Sequence, residues 1–405
     1  MQKKIALIAS LDTKLKETLF AKKEIENCGC EGLIIDISAK TVLDADAAVT
    51  PVEILKRYGM DWKDFDLLGK ADRIETMSKA LNAAVPDLYR EGLFDAVISI
   101  GGGQNARMAA AAMKALPFGV PKIVASSLAC GKRTLEQYVG DKDIMVVHTV
   151  ADISGLNEIT KTIIYNVCHA AIGMLEHRKA VEKDVRKKVA ATMLGITCRG
   201  TEGALRRLPD NSFEKICFHA NGTGGRCMES LIREGKFDLV LDMTLHEITC
   251  ELFGGYCTGA PNRLTAAIEN NIPMVVVPGA IDMLDFFIDE DGKGLPDDID
   301  SRKKVFHNAS ICHTKIRKNE AIRLAQALAD RLNRAEMPVT LVLPDGGFCE
   351  AAAVNGPMYD SEVDKTFIET IKPLLKKEIR VVDVHGNIND EAVQEVIAKE
   401  LIHLA

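Results

Sequence analysis

The stretch FHANGTGGRCME, residues 218 to 229, joins the end of an apolar run to a glycine turn and a helix start. Gly222, Gly224 and Gly225 take the Cβ out of a backbone that must turn tightly, and a helix is expected from about Gly225. The first amides of a helix have no intrahelical acceptor and sit at the positive end of its dipole. Such a turn therefore suits a phosphate or a carboxylate. His219, Asn221 and Thr223 add side-chain hydrogen-bonding groups, and Arg226 adds a cation. A second loop of the same kind, SIGGGQNARM at residues 99 to 108, offers Gly101, Gly102, Gly103, Gln104 and Asn105. Two such loops predict a ligand-binding α/β protein, with phosphate as the anion.

The neighbouring loops are equally rich. Asp12, Thr13 and Lys14 follow the first apolar run, where Asp12 or Thr13 can cap a helix and Thr13 and Lys14 can meet an anion. The loop Gly101 to Ala106 fits G-x-G-x-x-A formally, but the stretch Lys122 to Ser127 lacks the acid a dinucleotide site expects there. It also lacks the G-K-[ST] of a P-loop, which disfavours a Walker-type ATPase. Ser126 and Ser127 stand in no G-x-S-x-G elbow, so a serine hydrolase gains no support. Cys130, near Lys132 and Arg133, has the surroundings of a lowered thiol pKa, although lone loop cysteines are more often inert.

Further along, Asp242, Thr244, His246 and Glu247 follow another apolar run. A helix from about Leu245 would place His246 and Cys250 on one face, and Glu247 and Glu251 on another. HEITCE is not H-E-x-x-H, so no zincin site is indicated. Glu247 and Glu251 are either Mg²⁺ ligands through water or a solvated helix face. Gly254, Gly255, Gly259 and Arg263 supply one more glycine turn and a guanidinium able to pair with phosphate. Gly279 and Asp282 close the row, with Asp282 a candidate for a ribose hydroxyl or a metal-bound water.

These loops need strands to hold them. Short Val- and Ile-rich runs bounded by turn residues are expected as strands near 4–10, 33–37, 94–100, 121–126 and 144–148. A second set is expected near 188–194, 215–220, 238–243, 273–278, 339–343 and 379–384. Helical patterns, such as Lys14 to Cys28, Ala71 to Glu91 and Ile153 to about Arg178, fill gaps between them. Strand–helix alternation predicts parallel sheets, whose strand ends collect ligands. The order also repeats itself. EGLFDAVIS (91–99) is echoed by EGKFDLVLD (234–242), and VPKIVASS, from Val120, by IPMVVVPG, from Ile272. We therefore expect two Rossmann-like parallel-sheet subdomains, residues 1–180 and 181–405, related by divergent duplication. The polar, turn-rich segment 289–304 reads as a surface excursion.

Composition narrows the class. A chain of 405 residues with 47% hydrophobic residues can bury a large core. Its net charge of −7, with basic residues scattered along helices, disfavours a nucleic-acid platform. No apolar run approaches the ~20 residues of a membrane helix. The start, MQKKIALIASLDTK, reads as a first strand rather than a signal peptide. Eleven cysteines without any C-x-x-C, several (Cys168, Cys217, Cys250) inside apolar patterns, suggest a reduced, cytoplasmic protein.

SLDTK at residue 10, IGGG at 100, GVPKIVAS at 119, YVGDKDI at 138 and ADISGLN at 151 occur in that order. FHANGTGGRCMESL at 218, ELFGGY at 251 and PGAIDM at 278 follow. Together they make the chain resemble the tobamovirus multiplication-protein-like ATP-binding domain family. That family comprises uncharacterised bacterial and archaeal proteins and the N-terminal region of a plant virus-resistance protein. The resemblance runs from Lys4 to about Asn389. It implies two Rossmann-like subdomains, ATP binding with Mg²⁺, and homo-oligomers, dimers above all; it implies no established reaction. Where the family's first glycine loop continues as Ser-Gly-Gly-Thr, this chain has Gly103-Gln104-Asn105-Ala106. The expected phosphate contact therefore falls on Asn221 to Gly225, with Glu247, Glu251 and Asp282 as the candidate Mg²⁺ acids. Phosphoryl transfer or ATP-linked activation of a small acid would suit such a site. A nucleotide-sensing module without turnover is the second class. A sugar-acid or small-carbonyl enzyme using His219 or Glu247 as general base is the third.

Overall fold

Short β-branched runs flanked by glycine and proline become strands when helices cover both faces of the sheet they form. A computed structural model of the chain describes residues 2–129, 134–177, 184–289 and 293–405. Cys130, Lys132 and Arg133 lie outside the described residues, as do residues 290–292 of the turn-rich segment. By internal packing the chain divides into two units, Met1–Glu182 and Lys183–Ala405.

The first unit carries β1 (Lys4–Ala9), β2 (Glu31–Asp36), β3 (Ala96–Gly101), β4 (Lys122–Ser126) and β5 (Met145–His148). They form one parallel sheet in the order β2-β1-β3-β4-β5. β3 and β4 are buried throughout, whereas edge strand β5 is half open to solvent. Side chains alternate between faces, as the two-residue period of a strand requires. Ile5, Leu7 and Ala9 pack with Ile25 and Cys168, from the helices Leu11–Asn27 and Glu158–Glu176. Ala6 and Ile8 pack with Leu81, Val85 and Ala109, from the helices Lys70–Arg90 and Gly103–Lys114.

The second unit carries β6 (Lys187–Met193), β7 (Phe213–His219), β8 (Leu239–Thr244) and β9 (Met274–Gly279). After these come β10 (Met283–Phe287), β11 (Lys304–Asn308), β12 (Ile311–Lys315), β13 (Val339–Pro344) and β14 (Arg380–Val384). Six of these build a parallel sheet in the order β14-β13-β9-β8-β6-β7. The other three form an antiparallel sheet, β10-β12-β11. Every strand anticipated from the sequence is present, shifted by at most about two residues, a normal uncertainty for element ends. The small antiparallel sheet was not anticipated. Its outer strand β11 is half-exposed and carries Lys304, His307 and Asn308, so no apolar alternation announces it. The polar segment 289–304 is the connection from β10 into β11.

Taken in chain order within each unit, both parallel sheets read 2-1-3-4-5, with one further strand on the second. This is what a duplication would leave. It is also a common winding of doubly wound sheets, so by itself it records no ancestry. Among the described residues no helix is long and apolar enough to cross a membrane. The ten described cysteines are free; Cys168 and Cys250 are buried as expected, but Cys217 is exposed on edge strand β7.

Gly279 ends β9 where the register against β8 shifts. A Cβ there would sit 2.1 Å from the Met243 carbonyl oxygen, so this glycine is required by close strand packing and not by a ligand. Gly279→Ala is expected to lower the unfolding free energy by about 1–3 kcal/mol, the usual cost of overpacking. Denaturant melts followed by circular dichroism would show it, and an unchanged midpoint would count against the packing argument.

Candidate functional site

In a parallel sheet of order 2-1-3-4-5, the connections after strands 1 and 3 leave on opposite faces, and the crevice between those strand ends is the natural ligand position. In the first unit this crevice lies between the ends of β1 and β3. A cleft of about 310 Å³ opens there, lined by Asp12, Thr13 and Lys14 from one loop and Gly102, Gly103, Gln104 and Asn105 from the other. Lys40, Lys70 and Asp152 complete its charged lining. Two motifs separated by about ninety residues of sequence thus meet as the winding rule requires.

The local construction is specific. The Asn105 side chain is buried; its Oδ1 accepts from the Ser10 amide at 2.8 Å, and its Nδ2 donates to Ser99 Oγ at 2.9 Å. Asn105 therefore ties the two loops together instead of gripping a sugar. A Cβ on Gly101 would fall 2.6 Å from Asn105 Nδ2, while one on Gly102 meets none of the described residues within 4 Å. Gly102 is the N-cap of the helix Gly103–Lys114, and among the described residues no side chain caps that helix's first turn. Asp12 Oδ2 accepts from the Lys40 amide at 3.2 Å, and the Asp12 amide donates to Ser38 Oγ at 3.0 Å. Asp12 thereby orders the Ser38–Lys40 loop along the cleft. Asp36 at the end of β2 is buried and accepts from the Leu11 amide and from Ser38. Burial pushes its carboxyl above the usual range. Lys14 Nζ donates to the Ile153 carbonyl. Ser126 is buried at the end of β4, and Ser127 Oγ reaches Asp152 Oδ1 at 3.3 Å; neither serine lines the cleft. A larger hollow of about 600 Å³ lies beside Ile74, Arg107 and Lys114 on helix flanks, with no strand end opening into it.

The second unit treats its glycine turn differently. Gly222, at φ +95°, and Gly225 both donate their amides to Glu247 Oε1, at 2.6 and 3.2 Å. A carboxylate of the chain itself occupies the anion position at the start of the helix Gly224–Arg233. Glu247 Oε2 accepts from Arg263 Nε at 2.6 Å, and Arg263 forks onto both oxygens of Asp242 at 2.6 and 2.7 Å. Arg263, Asp242 and Glu247 have no solvent exposure. These are corrections to the expected site. Arg263 meets carboxylates of its own unit rather than phosphate, and Glu247 meets amides and a guanidinium rather than a metal.

The remaining expected residues disperse. Glu251 Oε1 accepts from the Gly259 and Ala260 amides at 2.5 and 3.0 Å. Asp282 is buried against Lys315, whose Nζ also donates to Asp364 at 2.6 Å. His219, Asn221 and Thr223 are exposed on the edge-strand side, where Asn221 Oδ1 accepts from Thr223 Oγ1 at 2.8 Å in a local turn. Arg226 donates to the Gly259 carbonyl at 3.3 Å. Gly254, at φ +81°, ends the helix His246–Phe253, and Gly255 packs on Cys250, as a Cβ there would lie 2.5 Å from Sγ. Gly224 has no positive φ, and a Cβ on it would lie 1.9 Å from the His219 carbonyl oxygen, so this glycine is required by the fold.

Sequence reasoning did not single out Lys40, Lys70 and Asp152, which line the first crevice, or Asp36, which is buried beside it at the end of β2; of these only Asp152 stands in a motif, ADISGLN at 151. It also missed Cys257, Asp285 and His313, which close around His246. His246 Nε2 lies 3.2 Å from Asp285 Oδ2, Cys257 Sγ lies 3.4 Å from the same oxygen, and His313 Nδ1 lies 2.6 Å from Oδ1. The signal available was the shared helix face of His246 and Cys250.

Comparison with known proteins places this geometry in context. The N-terminal domain of an uncharacterised protein family, UPF0261, matches residues 3–180, and the C-terminal domain of the same family matches residues 186–405. A UPF0261 protein of Clostridium tetani is 36% identical, over 100% of this chain and 99% of its own length. The ToMV susceptible protein tm-1(GCR26) of Solanum lycopersicum is 27% identical over 99% of this chain, which spans 56% of that longer protein. Among solved structures, Acinetobacter baumannii MurG covers 99% of both chains at 12% identity with a TM-score of 0.23. That value is too low to carry an argument about ligands.

Two outcomes follow from the second unit's buried network. Arg263→Ala strands Asp242 and Glu247 without their cation, and is expected to cost about 3–5 kcal/mol of stability. A Leu264 amide and an Ala266 amide donate to Glu229 at 2.6 and 2.7 Å, and burial raises this carboxyl to about 7 despite nearby Arg263. An acid raised in the folded state keeps its proton while the unfolded chain has already lost it. Stability therefore falls as pH rises from about 4.5 to 7, by up to about 3 kcal/mol. The advantage of wild type over Glu229→Gln should shrink across that window in urea melts, and a pH-independent difference would contradict the buried-acid reading.

Proposed function

The chain belongs to the uncharacterised protein family UPF0261, and from that footing we propose that it binds a phosphorylated nucleotide, ATP with Mg²⁺, in the first unit. The observation that carries this reading is the cleft between the ends of β1 and β3. There an uncapped helix start, a glycine with open space above it, and three lysines converge. Phosphate oxygens would accept from the first amides of the helix Gly103–Lys114, aided by its dipole. Lys14, Lys40 and Lys70 supply the charge that a Walker lysine supplies elsewhere. Asp12 and Asp152 are the carboxylates within this cleft, and they would serve Mg²⁺ through its water shell. The cleft volume lies near the lower end of the ~300–1,000 Å³ range of small-molecule sites. That suits a phosphorylated sugar or the polar half of a nucleotide.

The proposal moves the phosphate from the turn at Gly222–Gly225 to the loop at Gly101–Gly103, since Glu247 already satisfies the second turn. A general-base role for Glu247 draws no support from oxygens committed to Gly222, Gly225 and Arg263. Homo-oligomer formation, implied by the family resemblance, belongs to the same proposal and is open to light scattering.

Calorimetric titration with ATP, with and without Mg²⁺, tests the site. Gly102→Val blocks backbone approach at a position whose φ of −74° accepts a side chain. The double variant Lys40→Ala/Lys70→Ala removes charge from the lining. Each is expected to weaken ATP binding at least about tenfold, or ~1.4 kcal/mol, with the melting profile unchanged. Wild-type protein that takes up no ATP, or variants that bind as wild type does, would reject the assignment. Following ADP or AMP release in the same samples separates a binding module from an enzyme.

A further inference from the structure

The side chains around Asp285 are unlike the rest of the second unit's core. The helix His246–Phe253 places His246 and Cys250 one turn apart, the loop after it brings Cys257, and β10 brings Asp285. His246 has no solvent exposure, and Cys250, Cys257 and Asp285 are buried. One ligand atom each from His246, Cys257 and Asp285 falls within 4.8 Å of the other two. His246 Nδ1 is buried with no hydrogen-bond partner among the described residues. The Cys250 thiol lies near both this ring and the Cys257 thiol, outside the three-residue group. A core that needed only packing would gain from apolar side chains here, because each of these groups carries a desolvation cost.

We propose that His246, Cys257 and Asp285 form a buried binding site for a thiophilic divalent ion of the zinc type. Zinc bonds of about 2.0–2.3 Å in a tetrahedron put neighbouring ligand atoms about 3.3–3.8 Å apart. The separations of 3.2 Å from His246 Nε2 to Asp285 Oδ2 and 3.4 Å from Cys257 Sγ to the same oxygen lie within about 0.2 Å of those edges. A thiolate, an imidazole and a carboxylate together select zinc over magnesium or calcium, which prefer oxygen alone. The second oxygen of Asp285 accepts from His313 Nδ1 at 2.6 Å. This is the kind of outer partner that fixes a ligating carboxylate. The ion keeps the fourth position of its tetrahedron for a water, as zinc with three protein ligands does. It pins the Gly254–Gly259 loop and the antiparallel sheet to the helix carrying Glu247, whose carboxylate fills the glycine turn. Tyr256, next to Cys257, stacks on Phe287 at 5.3 Å and shields the loop.

The test uses the full-length protein purified without chelator, then stripped and titrated with Co²⁺ or Zn²⁺. Elemental analysis is expected to find about one zinc per chain. Co²⁺ is expected to give a thiolate charge-transfer band and the visible bands of a tetrahedral ion, and Zn²⁺ to raise the melting temperature. Cys257→Ser and Asp285→Asn should each lose the bands. His169→Ala should keep them, although His169 lies in a partly exposed Glu24–Cys28–His169 group. Because a variant can fail to fold, the decisive reading is on wild type. Folded protein with neither band nor thermal shift would overturn the proposal. So would a mass loss of two hydrogens showing Cys250 and Cys257 joined as a disulfide, or bands that persist in both ligand variants.

Discussion

A helix that starts at a strand end exposes amides that need an acceptor, and the chain must supply one or leave the position to water or a ligand. This constraint organises both units. In the second, Glu247 reaches back to Gly222 and Gly225, so the positive end of the helix Gly224–Arg233 is neutralised from within. In the first, the helix Gly103–Lys114 has no side-chain cap, and its start faces an open cleft edged by lysines. The two turns stand at different places in the winding. The filled one follows β7, the second strand of its unit, and takes Glu247 from the helix after β8; the open one follows β3, the third strand of its unit, with no acid within its loop.

Placing a carboxylate in the turn has a consequence deeper in the second unit. A buried Glu needs a cation, and Arg263 serves it while also holding Asp242, which accepts from Thr192 Oγ1 at 2.7 Å. Thr192 Oγ1 in turn accepts from the Thr244 amide, and Thr244 Oγ1 pairs with Thr197 Oγ1 at 2.8 Å. The network spans the ends of β6 and β8, where a doubly wound sheet would otherwise have its ligand crevice. Buried ion pairs seldom add net stability over apolar packing, but removing one member is expensive. Its effect is therefore to fix one arrangement of loops. Leu264, at φ +72°, lies beside Arg263 and shows that the backbone accepts an uncommon conformation to deliver the guanidinium.

The fold was legible because its signals are local. β3, β4, β8, β9 and β13 are buried along their whole length, and apolar residues dominate each of them in the sequence. The antiparallel sheet was not legible, since His307 and Asn308 on its exposed strand read as loop. The candidate site was legible in part. Asp12, Thr13, Lys14 and Gly102 announced themselves by type and position, and the winding brought them together. What the sequence could not reveal was occupancy. Asn221-Gly222-Thr223-Gly224-Gly225 has the composition of an anion site, and only the arrangement in space shows that the anion is Glu247. Glycine there carried two messages with one spelling. Gly224 is needed because the His219 carbonyl oxygen approaches, and the same residue type is used elsewhere to admit a phosphate.

This ambiguity can be resolved by asking what each glycine's missing Cβ would strike. At Gly225 it would strike Glu247 and Arg263, at Gly224 the turn's own backbone, and at Gly101 the stapling Asn105. Each of these glycines makes room for a group of its own unit. At Gly102 the missing Cβ would strike none of the described residues within 4 Å, at an extended φ where any residue is tolerated. Neither conformation nor packing among the described residues requires glycine there. Among the glycines of these two turns it is therefore the one for which the proposed phosphate approach supplies a physical reason that the protein's own contacts do not.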